Sequence, residues 1–105
     1  MKILFDQGTP APLRRRLDGH VVDTAAERGW SDLDNGDLID NAEREGYDVL
    51  ITTDQNLRHQ QNFAARRLAV VVLLSTAWPK VQLRVEDIRS ARDQIDPGNV
   101  REVPI

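Results

Sequence analysis

Asp48-Val49-Leu50-Ile51-Thr52-Thr53-Asp54 is a continuous apolar and β-branched run that closes on a carboxylate. Such a run is expected of a parallel strand buried on both faces. A shorter relative opens the chain, Lys2-Ile3-Leu4-Phe5-Asp6, and it also ends in aspartate. A third apolar run follows from Ala69 to Leu74. Between these runs lie stretches with helical spacing, so strands and helices alternate along the whole sequence. Alternation of this kind predicts parallel pairing with right-handed crossovers and helices on both faces of the sheet. In open sheets, ligands sit at the carboxyl ends of the strands, where connections switch direction. If the first and third strands are neighbours, Asp6 and Asp54 meet at that edge. Two converging carboxylates suit a hard divalent cation, Mg2+ or Mn2+, and chemistry on phosphate.

The bulk composition sets the frame. A chain of 105 residues makes one domain, 1–105, with room for a modest core. The net charge of -3 argues against a broadly cationic nucleic-acid coat, although a local basic groove is compatible with it. The absence of cysteine rules out disulfides and thiolate metal sites. The longest apolar stretch, Leu68 to Leu74, is far too short to span a bilayer, and the first residues lack a signal pattern. A cytoplasmic protein with no membrane association is the expectation.

Local signals place the remaining elements. Thr9 and Pro10 suit a cap and a first position, which predicts a helix from about Pro10 to Leu17, ended by Asp18-Gly19. Val21-Val22 begins a second strand, and Gly29 to Asp32 reads as loop. Asp34 or Asn35 caps a helix with apolar positions Leu38, Ile39 and Ala42, which exits at Gly46. Leu57 to about Arg67 reads as helix, Pro79 breaks helix continuity in the next loop, and Val85 to Ile95 forms a last helix. Val100 to Val103 is a final short strand.

The candidate chemistry centres on Asp6 and Asp54, each of which could instead cap a turn. Thr52 or Thr53 either satisfies strand propensity or supports the carboxylates by hydrogen bonding. On a helical wheel Asn35 shares the inward face of Leu38, Ile39 and Ala42, whereas Asp37 points almost opposite. Asn35 is therefore better placed to reach the edge, and Asp37 is the stronger ligand by chemistry. Asn56 serves as an oxygen ligand, a water-orienting group or a turn residue. His20 and His59 have no partner at metal-ligand spacing. Arg14, Arg15 and Arg16, with Arg58, Arg66 and Arg67, form either a phosphate-steering set or solvated faces. Trp30 and Trp78 either stack on bases or pack over the core.

Together the opening Met1 to Asp6, Gly29-Trp30, Asn35-Gly36-Asp37-Leu38 and Asp48 to Leu57 resemble a family of small bacterial PIN-like domains, a largely uncharacterised, toxin-like branch of the PIN nuclease superfamily. The resemblance spans Met1 to about Leu74, and Asp48 to Leu57 is its most specific part. It implies a PIN-like three-layer α/β sandwich with a mainly parallel sheet and a Mg2+- or Mn2+-dependent ribonuclease. Asp6, Asp54, Asn35 and Asn56 would be the catalytic set, and Asp6, Asp54 and Asp37 the metal set. RNA is the implied substrate, and a small antitoxin-like protein and a second copy of the chain are the implied partners. The sequence departs from the family pattern at Gln7, Asn35 and Asn56, where further acids are usual. Two carboxylates with amide oxygens still suit one octahedral Mg2+, whereas a two-metal mechanism is short of charge.

Three functions therefore compete. The first is a metal-dependent ribonuclease, as the toxin of a toxin-antitoxin pair. The second is a catalytically weakened PIN-like module that binds RNA or protein. The third is a phosphoacceptor receiver-like domain using Asp54 with Ser75 or Thr76; the single acid after the first strand and the lysine-free tail fit it least.

Overall fold

The computed structural model describes residues 1–17, 20–57, 63 and 66–105. Five strands form one sheet: β1 Lys2–Phe5, β2 Val21–Thr24, β3 Val49–Thr52, β4 Ala69–Leu73 and β5 Val100–Val103. Their order is β2-β1-β3-β4-β5, and every pairing is parallel. Among the described residues three α-helices accompany them: α1 Asn35–Arg44, α2 Trp78–Val81 and α3 Val85–Gln94.

Alternation along the strands sends side chains to two separate cores. Ile3, Phe5, Val49, Ile51, Val71 and Leu73 face Leu13, Val81, Val85 and Ile88. On the other face, Leu4, Leu50, Val70 and Val72 pack against Leu38, Ile39 and Ala42 of α1, joined by Leu57, Phe63 and Leu68. Covering both faces explains why the central strands read as unbroken apolar runs, and the arrangement is compatible with a three-layer α/β fold.

Three local expectations are revised. The segment after β1 is a 3-10 helix, Ala11–Arg16, whose N-cap Pro10 makes no side-chain hydrogen bond. Thr9 does not cap it: its Oγ1 donates to the Ile51 carbonyl of β3 at 2.8 Å. A 3-10 turn spans more length per residue than an α-helix, which suits a short connection that must still bury Leu13 and Leu17. Pro79 does not break a helix but lies in the first turn of α2, where no N–H is needed. α2 then continues through a 3-10 turn, Gln82–Arg84, into α3. The helix expected from Leu57 to about Arg67 falls mostly outside the described residues, as do His59, Arg58 and the Asp18-Gly19 stop.

α1 follows its sequence signals closely. Asp34 is the N-cap and accepts from the Asp37 N–H at 2.8 Å. At the other end Gly46 adopts φ +80°, while Gly46 N–H donates to Glu43 O and Tyr47 N–H to Ala42 O. That pair of bonds is a Schellman closure, and only glycine enters its left-handed position without strain. Among the described residues no helix is long and apolar enough to cross a membrane.

Candidate functional site

The strand order makes β1 and β3 direct neighbours, with Phe5 opposite Ile51. The ladder runs one residue past the end of β1, since Asp6 N–H donates to Ile51 O at 3.0 Å. Asp6 therefore stands beside Thr52 at the carboxyl edge, where the connections from β1 and β3 leave on opposite faces. This is the switch point at which open α/β sheets place ligands.

Thr52 is fully buried and ties the two acids together. Its Oγ1 donates to Asp6 Oδ2 at 2.5 Å and accepts from the Asp54 N–H at 3.1 Å. The other Asp6 oxygen accepts from the Gln7 N–H at 2.6 Å. Asp54 is held in a similar way: Oδ2 accepts from Asn35 Nδ2 at 3.0 Å, and Oδ1 from the Asn56 N–H at 3.0 Å. Among the described residues each of these carboxylate oxygens has one protein donor and keeps a further lone pair for a ligand. Both acids are half-buried, which leaves them reachable from solvent.

The structure brings Asp6, Thr52, Asp54 and Asn35 together. Asn35 projects from the first turn of α1 on the inward face, as the wheel predicts. Asp37 is exposed and donates its backbone N–H to Asp34. Asn56 is also exposed, and its backbone rather than its amide serves Asp54. Among the described residues no group of three or more His, Cys, Asp or Glu side chains could hold a metal. The donor set at this edge is therefore two carboxylates, a hydroxyl and an amide.

Gly8, which with Thr9 and Pro10 turns the chain after the first strand, also shapes the edge. A Cβ on Gly8 would lie 2.5 Å from Thr53 Oγ1, so the turn after Asp6 packs directly on the end of β3. A glycine two residues beyond a strand-end acid is the only signal that could have pointed to it. Gln7 contributes through its backbone, which no side-chain pattern reveals.

The other candidates lie elsewhere. His20 precedes β2, and its buried Nδ1 has no hydrogen-bond partner among the described residues. Burial, then the Arg92 charge, hold its pKa below the ordinary 6.5. The arginines divide between the two faces: Arg14 pairs with Glu27 on the 3-10 side, and Arg66 pairs with Asp40 and Glu43 on the α1 side. Arg14 and Arg66 therefore do not share a surface, and Arg58 lies outside the described residues. Trp30 meets Tyr47 edge-on at 6.1 Å, with the Arg28 guanidinium 4.8 Å from its ring, and Trp78 packs against the first core. Both tryptophans serve packing. Asp23 of β2 is occupied by the Tyr47 hydroxyl, which donates to it at 2.6 Å. Comparison with protein-family models, with curated proteins and with solved structures finds no match to this chain.

Proposed function

We propose that the chain is a PIN-like ribonuclease that uses Mg2+ or Mn2+ at the Asp6–Asp54 edge. The observation that carries this reading is the Thr52 hydroxyl bonded to both acid-bearing segments at the β1–β3 switch point. Buried and doubly bonded, it holds the Asp6 carboxylate and the Asp54 backbone N–H in place at this edge. Two carboxylates and neighbouring oxygens fit one hexacoordinate ion that keeps several waters. They do not fit a pair of ions, for which the charge is too small. The ion, when bound, supplies positive charge that activates water and offsets charge developing on the phosphodiester. Asp6 and Asp54 would hold it. Asn35 orients the Asp54 carboxylate, Thr52 orients Asp6, and the Gln7 and Asn56 N–H groups hold the outer oxygens. A small antitoxin-like partner belongs to the same reading, and a neighbouring reading frame encoding one would support it.

One observation favours a second reading, a catalytically weakened RNA- or protein-binding module. Asn35 turns an amide N–H toward Asp54 where a further acid is usual in the family it resembles. The receiver-like reading shares the β2-β1-β3-β4-β5 order, but β5 closes on Val103-Pro104-Ile105 with no lysine. The test is cleavage of mixed RNA with Mn2+ or Mg2+ against EDTA, for wild type, Asp6→Asn and Asp54→Asn. Metal-dependent cleavage lost in both variants supports the nuclease. Cleavage that persists unchanged in both sinks the site, and absence of both Mn2+ binding and cleavage transfers support to the binding module. Phosphorylation of Asp54 by a small phosphodonor would shift it to the receiver.

A further inference from the structure

A concave surface of about 380 Å3 lies between the 3-10 helix Ala11–Arg16 and the start of α3, on the sheet face opposite α1. Among the described residues its charged lining is Arg15, Arg16 and Arg89 against a single carboxylate, Glu86. That carboxylate is already engaged, because Arg89 Nη1 donates to Glu86 Oε1 at 2.6 Å. Arg89 Nε also donates to the Arg16 carbonyl at 2.7 Å, which pins the end of the 3-10 helix to α3. The Arg15 and Arg16 side chains are exposed and make no ion pair among the described residues. The groove thus carries excess positive charge on a chain whose net charge is -3. Leu83, 78% exposed, stands in the same groove.

We infer that this groove holds the phosphates of a single-stranded RNA that passes the Asp6–Asp54 edge; the inference rests on the reading of the chain as a ribonuclease. Both walls of the groove descend from that edge, since the 3-10 helix follows β1 and α2 follows β4. β3, which leads to Asp54, lies between those two strands. The 3-10 helix carries the chain back to the start of β2, beside Lys2, so it runs down the sheet face from the acids. At about 2 Å per residue, Arg15 and Arg16 sit roughly 10 Å along it. A strand leaving the acids meets them within a few nucleotides. Guanidinium groups match phosphate oxygens with paired N–H donors, and each phosphate they neutralise releases counterions from the RNA. Leu83 gives a base or ribose an apolar rest. An acidic peptide would also pair with the arginines, but continuity with the acid edge favours the strand on which that edge acts.

Fluorescence anisotropy with a labelled single-stranded RNA, in EDTA so that cleavage cannot intervene, tests the groove between about 50 and 200 mM salt. Arg15→Gln/Arg16→Gln removes two phosphate contacts, so the slope of log K against log salt should become shallower by about 1.4, with affinity lowered at least about tenfold near 0.1 M salt. Glu86→Gln frees Arg89 and should act oppositely, binding more tightly with a slope steeper by about 0.7, a gain that misfolding cannot produce. Leu83→Ser should weaken binding severalfold and leave the slope unchanged, because an apolar contact releases no counterions. Circular dichroism and thermal melting confirm that each variant is folded. A wild type that binds no RNA overturns the proposal. So does a slope that the double arginine variant leaves unchanged, or a Glu86→Gln protein that binds no more tightly. Displacement of the RNA by polyglutamate at equal charge overturns it in favour of an acidic protein partner. Cleavage is scored separately with Mn2+. Binding through the arginines without cleavage upholds the groove and refutes the nuclease, whereas cleavage with binding indifferent to the arginines does the reverse.

Discussion

Replacing Thr52 by valine tests the centre of the site with little change of shape. The hydroxyl makes a charge-assisted bond to Asp6 at 2.5 Å and accepts a neutral one from the Asp54 N–H at 3.1 Å. A hydrogen bond to a charged group contributes about 1.5–3 kcal/mol and a neutral one about 1 kcal/mol. Thr52 is fully buried, so water cannot take its place at that oxygen. The half-buried acids recover part of the loss from solvent. Thr52→Val should therefore destabilise the fold by roughly 2–3 kcal/mol, measured by urea denaturation, which for a chain of this size lowers Tm by about 10–15 °C. Thr52→Ser keeps both bonds and loses one methyl, at a cost of about 1 kcal/mol. A double-mutant cycle with Asp6→Ala should return a coupling of about 1.5–3 kcal/mol. A valine variant within about 0.5 kcal/mol of wild type, the range of an ordinary surface change, would refute the reasoning. A coupling near zero would do the same.

Other perturbations follow from the same geometry. Gly8→Ala forces Cβ against Thr53 Oγ1 and should cost about 1–3 kcal/mol, the range for overpacking; adding Thr53→Ala should restore most of the loss in chemical denaturation. His20 has a lowered pKa, so the unfolded chain takes up its proton first. Stability should then fall as pH drops below about 6.5 and level off once the folded state also protonates; the acid-side loss should shrink in His20→Gln, and equal Tm profiles for the two proteins would contradict this. Burial, with the bond to Asp23, raises the pKa of Tyr47, the single tyrosine. Ultraviolet titration of the folded protein should show no tyrosinate step near the ordinary value of about 10, and stability should decline above that pH as the unfolded chain ionises. Tyr47→Phe removes a 2.6 Å bond to a carboxylate and should destabilise by about 1.5–3 kcal/mol in urea denaturation.

Much of this fold is legible where a local physical rule has no competitor. The Gly46 exit and the inward face of α1 follow from positions that each have one good solution, and the structure settles the cap, for which Asp34 and Asn35 both qualify, on Asp34. The same holds for the apolar runs of β1, β3 and β4. The sequence reading goes astray where a residue type has two uses. Thr9-Pro10 reads as a cap and first turn, but the burial of Thr9 against β3 gives its hydroxyl a better acceptor in Ile51 O. Pro79 reads as a breaker because its missing N–H forbids helix interiors, and that lack is harmless in the first turn of α2. The arginines look like one cluster because sequence proximity and composition carry no information about which face a segment covers.

By itself the sequence determined that this is a strand–helix alternation with buried parallel strands, and that two of those strands end in aspartate. Periodicity and β-branching act over a few residues, so they can be read without knowing the rest of the chain. Only the tertiary structure decided that β1 lies beside β3, with Asp6 level with Thr52 and Asn35 reaching Asp54. Pairing partners are far apart in sequence and are chosen by how helices of given length cover the two faces. The meeting of Asp6, Thr52 and Asp54 is a consequence of that choice, and no local pattern encodes it.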